Sequence, residues 1–189
     1  MPMNLWRQLA VPSLVASLSA CSSAPATPEP PPPPSQPTRA TPAPSIAAPT
    51  PAASRIELAG PGFAPVLSHG TAGGPLPGQT MSPHCVGNYP TAAQHIVRVG
   101  QALSHFRVVI NAGASDTTLA VRGPDGTYFC NDDSSDPANT LNPAVDVENA
   151  APGDYQIFVG GYSGGDAWAG YGLGVIEGRA FPSEVVPAP

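Results

Sequence analysis

The sequence predicts an all-β protein, a β-sandwich or jelly roll, preceded by a signal segment and a proline-rich linker. Three observations lead there. Between Arg55 and Gly178 apolar and polar residues alternate in short runs, which is the period of half-buried strands. Clusters of Gly, Pro, Asn and Asp separate those runs. No segment repeats its apolar residues with a convincing helical period.

In chain order, Ile56-Glu57-Leu58 opens the domain. Gly60 to Gly78 lacks a pattern and reads as a long irregular loop. Ala93 to Val99 and Ser104 to Ile110 alternate as strands. Thr117 to Val121 and Thr127 to Cys130 flank Gly123-Pro124-Asp125-Gly126, where Pro sets φ and Gly supplies a positive φ, so this pair reads as a hairpin. Ala144 to Val147, Asp154 to Val159 and Tyr171 to Ile176 complete the set. The tail from Ala180 to Pro189 carries no strand pattern and is expected to fray.

Composition narrows the function classes. The chain has 189 residues and a net charge of −6, and its seven basic residues are all Arg. No face can gather the basic stripe that nucleic-acid binding needs. There is no polybasic segment to hold an anionic membrane surface. Any membrane attachment must therefore come from lipid.

A candidate lipid site lies near the N-terminus. Arg7 and the apolar run Leu9 to Leu18 form a charged n-region and a short h-region. The run is shorter than the ~20 apolar residues of a membrane-spanning helix. It ends in Leu18-Ser19-Ala20-Cys21, which resembles the lipobox of bacterial lipoproteins. The resemblance implies cleavage after Ala20 and lipidation of Cys21, with three acyl chains where a single one binds only marginally. It implies a cell-envelope address, and Ser22 in place of Asp implies the outer membrane. The competing reading is an ordinary secretory signal cut among the same small residues. Cys21 to Ser54 is Pro-, Ala-, Thr- and Ser-rich, with Pro30 to Pro34 unbroken. Such a segment buries too little to fold and acts as a stiff spacer, with a reach on the order of 100 Å at ~3.1 Å per residue. A proline-rich ligand for a partner groove is the alternative role. The expected organisation is a signal over residues 1–20, a linker over 21–54, the sandwich over 55–178 and a tail over 179–189.

With Cys21 lipidated, Cys85 and Cys130 remain as an even pair in an exported chain. A disulfide is expected, worth about 4 kcal/mol for a closed loop of about 45 residues. A metal or redox pair is the alternative. It lacks a CxxC, and His84 adjoins Cys85 too closely to share an ion.

The strands carry a recognisable series: Asp116 to Val121, Gly123 to Gly126, Cys130-Asn131-Asp132-Asp133, Asn142-Pro143, Ala151 to Tyr155 and Val159 to Tyr162. From about Pro90 to Glu177 this resembles the bacterial pre-peptidase C-terminal domain. The resemblance implies a β-sandwich in an extracytoplasmic setting, in a group where some members bind calcium and others collagen or polysaccharide. Such domains accompany secreted enzymes. Here only the signal and linker precede it, so the resemblance implies fold and setting rather than substrate.

Three sets of residues carry candidate chemistry. Gly161-Tyr162-Ser163-Gly164-Gly165 fits G-x-S-x-G, but no histidine follows Ser163 and the next element reads as a strand, so a glycine-rich loop is expected there rather than a nucleophile elbow. Asp132, Asp133 and Asp136 share one loop and Asp116 starts a neighbouring strand, so they are candidate calcium ligands. The alternative is that they cap turns or stay solvated. Tyr162, Trp168 and Tyr171 flank the glycine-rich loop and are candidates for stacking on sugar rings or meeting a protein. His69, His84, His95 and His105 share no ligand spacing, and the latter two are expected to be structural or surface residues. These readings point to a non-catalytic, lipid-anchored envelope protein that displays one sandwich for binding or scaffolding. Carbohydrate and envelope protein are the expected partners. The alternative is an accessory or inhibitory factor of a secreted protease, or a small hydrolase using Ser163.

Overall fold

A computed structural model describes residues 52–163 and 168–189. The expected signal, the expected lipidation position Cys21 and the expected linker as far as Pro51 lie outside the described residues. Two β-sheets pack face to face as a sandwich around the main apolar core. The strands are β1 (Ser54–Leu58), β2 (Val66–Thr71), β3 (Leu76–Pro77), β4 (Asn88–Tyr89), β5 (His95–Val99) and β6 (Leu103–Asn111). After them come β7 (Thr117–Arg122), β8 (Tyr128–Asn131), β9 (Ala144–Ala150), β10 (Gly153–Gly161) and β11 (Gly170–Ile176). A short helix, α1 (Pro182–Val185), ends the chain.

β10 is the spine of the larger sheet. Its first half pairs with β5 and its last residue, Gly161, with Asn88 of β4, while β7 runs along the other side. β1 adds parallel to β5, and β8 adds antiparallel to β7. The smaller sheet runs β2-β11-β6-β9, antiparallel throughout. Alternation explains the packing. Val97 and Val99 of β5, Leu119 and Val121 of β7, and Tyr155, Ile157 and Val159 of β10 all point inward. Phe106, Val108 and Ile110 of β6 and Leu173 and Val175 of β11 meet them from the smaller sheet. Phe106 and Tyr155 meet edge to face, ring centroids 5.1 Å apart.

The expected hairpin forms. Gly126 donates to the Gly123 carbonyl at 3.0 Å with φ at 87°, and the Asp125 carboxylate accepts from the Thr127 backbone at 3.0 Å. Cys85 and Cys130 are disulfide-bonded, their Cα atoms 5.2 Å apart. The bond pins the segment before β4 against the outer face of the larger sheet, where Cys85, Tyr89, Ala120 and Phe158 form a second, smaller core.

Two expectations fail. The stretch from Gly60 to Gly78 is not a plain loop, because β2 forms within it and covers one edge of β11. Leu67 and His69 of β2 are exposed and Gly70 has no side chain, so the usual apolar alternation is missing from an edge strand. The C-terminal tail is also docked. Val186 is buried over Gly172 and Gly174, glycines whose missing side chains leave the groove it occupies. Asn111 Nδ2 donates to the Val186 carbonyl at 2.7 Å. His105 bridges the Glu177 carbonyl (2.8 Å) and Asp146 (2.7 Å), and Arg179 pairs with Asp146 at 3.3 Å and with Glu148. Tail and sheet are thus tied by polar contacts that no strand pattern announces.

Candidate functional site

The two sheets leave a cleft of about 670 Å³ near β1 and β2. Its lining includes Ser54, His69, Gly70, Gln94, His95 and Trp168, with Pro75, Pro90, Ala92 and Ala93 as apolar wall. Such a volume lies within the range of small-ligand sites, and its mixture of apolar wall and convergent polar groups is what those sites carry.

His95 lies at the base. It opens β5 on the inward-facing side, in register with Ser54 of the parallel neighbour β1. It is 2 % exposed. Its Nε2 lies 2.7 Å from the Tyr171 hydroxyl and its Nδ1 lies 2.5 Å from Ser54 Oγ, with Ser68 Oγ at 3.5 Å. One hydrogen-bonded chain therefore runs from Tyr171 in the smaller sheet, through His95 in the larger, to Ser54 in the cleft lining. Burial first, and the neighbouring His69 second, push the imidazole down to about 4, so it is neutral at pH 7. Burial pushes the Tyr171 phenol upward. Gly70 makes the contact possible: a Cβ there would overlap the Tyr171 hydroxyl.

Gln94 shapes the floor. Its Nε2 donates to the Thr71 carbonyl at 2.7 Å, and its Oε1 accepts from the Val159 backbone at 2.6 Å. The amide thus clamps β2 to β10 across the sandwich, and the cleft walls are held by core contacts.

Trp168 stands at the lip. Its side chain is 74 % exposed, the most open of the exposed large apolar residues among the described residues. Its backbone is nevertheless fixed: Trp168 N donates to the Ala72 carbonyl at 2.7 Å, and Ala72 N donates to the Ala169 carbonyl at 2.7 Å. Its φ is 76°, a left-handed conformation that a bulky residue adopts at a cost of about 1–3 kcal/mol. An exposed aromatic held in a strained backbone contributes little to folding, and such outliers gather at functional sites.

The other candidates fall elsewhere. Tyr171 is not an exposed binding aromatic. It is 1 % exposed, because its place on β11 turns it into the core, where it reaches His95. Tyr162 is 49 % exposed just after β10 and is not among the residues lining the cleft. Ser163 is exposed in the same turn.

The acidic residues do not converge. Asp136 is buried and its carboxylate is spent on α1 and on its own loop: it accepts from Ser183 N at 2.8 Å, Ser183 Oγ at 2.9 Å and Ala138 N at 2.9 Å. Burial works to raise its pKa, but these donors outweigh it and hold the carboxyl below its usual range. Asp132 is half-buried and Asp133 exposed in the loop after β8, and Asp116 precedes β7, its carbonyl accepting from Tyr162 N at 3.1 Å. Among the described residues no three His, Cys, Asp or Glu side chains gather as a metal site. Ser54, His95 and Gln94 were missed as a group, since residues about 40 apart in sequence come together only through the parallel pairing of β1 with β5. No protein-family model matches this chain, and no curated protein sequence matches it.

Proposed function

We propose that this chain is a non-catalytic, lipid-anchored protein of the cell envelope whose β-sandwich binds a saccharide in the cleft beside Trp168. The observation that carries the reading is Trp168 itself, 74 % exposed yet fixed through its backbone at the lip of a preformed cleft. An exposed indole face suits the apolar face of a pyranose ring, while the hydroxyls of the sugar meet the polar lining. The lipobox at Cys21 supports attachment to the outer membrane, and the linker supports display of the domain away from it. The likeness of residues from about Pro90 to Glu177 to pre-peptidase C-terminal domains supports an extracytoplasmic binding module.

The test is a binding titration of the protein against soluble oligosaccharides and envelope glycans, with Trp168→Ala alongside. Binding that the substitution reduces at least tenfold, at unchanged melting temperature, supports the reading. Binding indifferent to Trp168 sinks it.

A further inference from the structure

Resting on the saccharide reading, we infer that Ser54 selects the ligand, as a hydrogen-bond donor to a carbonyl oxygen, and that this oxygen is the acetamido carbonyl of an N-acetylated amino sugar.

The inference comes from the polarity of the buried chain. The Tyr171 hydroxyl is enclosed, and its hydrogen-bond partner among the described residues is His95 Nε2 at 2.7 Å. A buried O–H left without an acceptor carries its full desolvation cost, so Tyr171 donates and Nε2 accepts. A neutral imidazole has a single N–H, which then sits on Nδ1 and donates to Ser54 Oγ at 2.5 Å. Ser54 thus receives a hydrogen bond from the protein, and its own proton is left for the cleft. The opposite polarity, in which Ser54 gives its proton to His95, is the one a nucleophilic serine needs. It would strand the Tyr171 proton. Ser54 is therefore a donor to a ligand and not an activated nucleophile.

What the donor meets follows from its surroundings. The nearby Gln94 amide is committed at both ends to the backbone of Thr71 and Val159. The cleft that Ser54 lines has Ala52, Ala92, Ala93 and Pro90 as apolar wall, with His69, Thr71 and Thr91 as further polar lining. A sugar hydroxyl can meet Ser54 too, but it leaves the apolar wall without a methyl to cover. An acetamido group brings a carbonyl that accepts from Ser54, a methyl that suits the wall and an N–H that faces the remaining polar lining, with the sugar ring left for Trp168.

The experiment compares two probes, a β-1,4-linked hexamer of N-acetylglucosamine and the corresponding glucose hexamer, by calorimetry on the full chain. The acetylated hexamer should bind at least tenfold more tightly. Ser54→Ala should erase that difference, keep the melting temperature, and leave the weaker Trp168-dependent binding. Equal binding of both hexamers, or discrimination that survives Ser54→Ala, overturns the inference while the saccharide reading stands. Binding of neither hexamer, together with none across other glycans, overturns both. Two ligand-free readouts bear on the polarity. Nitrogen-15 NMR should place the His95 proton on Nδ1, and a fluorophosphonate probe should leave Ser54 unlabelled. A proton on Nε2, or labelled Ser54, would overturn the inference.

Discussion

Acid should destabilise this domain through His95. In the folded chain, burial first and His69 second push its pKa down to about 4 from the ordinary 6.5. In the unfolded chain the imidazole is free to titrate at its ordinary value. Between those two values the unfolded chain binds a proton that the folded chain refuses, so stability falls as pH falls from 6.5 to about 4. Above that window both states are neutral and His95 imposes no penalty. Below it both are protonated and the loss is complete. A gap of this size corresponds to about 3 kcal/mol, a large share of the ~5–15 kcal/mol that stabilises a typical domain. Asp136 acts in a lower window, since its carboxyl is held below the usual range and its contribution is lost only as pH falls through that depressed value. The assay is urea denaturation at steps between about pH 7.5 and pH 3.5, for the wild type and for His95→Gln, which cannot titrate at this position. The two stability curves should converge as pH falls, because the wild type alone carries the His95 slope. Parallel curves would refute the reasoning. So would an NMR titration of His95 in the folded protein with its midpoint near 6.5.

Four further outcomes follow from the same contacts. Gly70→Ala places a methyl against the Tyr171 hydroxyl and should cost about 1–3 kcal/mol in chemical denaturation, whereas a cost below about 0.5 would show that the relay tolerates displacement. Paired Cys85→Ser and Cys130→Ser substitutions should lower stability by about 2–5 kcal/mol under oxidising conditions and leave the reduced protein unaffected by comparison; equal stability of variant and oxidised wild type would contradict this. Asp136→Ala removes the acceptor at the start of α1 and should cost about 1–2 kcal/mol while accelerating hydrogen exchange at Ser183 and Val186. Unchanged exchange there would show that the tail is held without it. Because Asp136 is already committed to α1, melting temperatures in chelator and in millimolar calcium should coincide, and a rise of several degrees with calcium would show Asp132 and Asp133 completing a site.

Strand character was legible wherever both sheet faces had distinct surroundings. Tyr155, Ile157 and Val159 of β10 alternate with less apolar neighbours for most of their length, and the period of two follows directly from the pleat. The hairpin at Gly123 to Gly126 was legible because a positive φ demands glycine. β2 was not, because an edge strand that pairs on one side and carries exposed Leu67 and His69 presents no apolar stripe. Tyr171 was misjudged from its place beside a glycine-rich loop. Its strand parity turns it inward, while Trp168, three residues earlier and outside the strand, stays open to solvent.

By itself, then, the sequence determined what local chemistry governs, the alternation and the turns, and it marked Cys85 and Cys130 as the two cysteines of the domain. The tertiary structure decided the site. Parallel pairing brings Ser54 beside His95, sheet-on-sheet packing brings Tyr171 to its other nitrogen, and a backbone bond to Ala72 fixes Trp168 above them. These contacts join distant parts of the chain, and the direction of the proton along them depends on which groups are buried together. No spacing in one dimension encodes that.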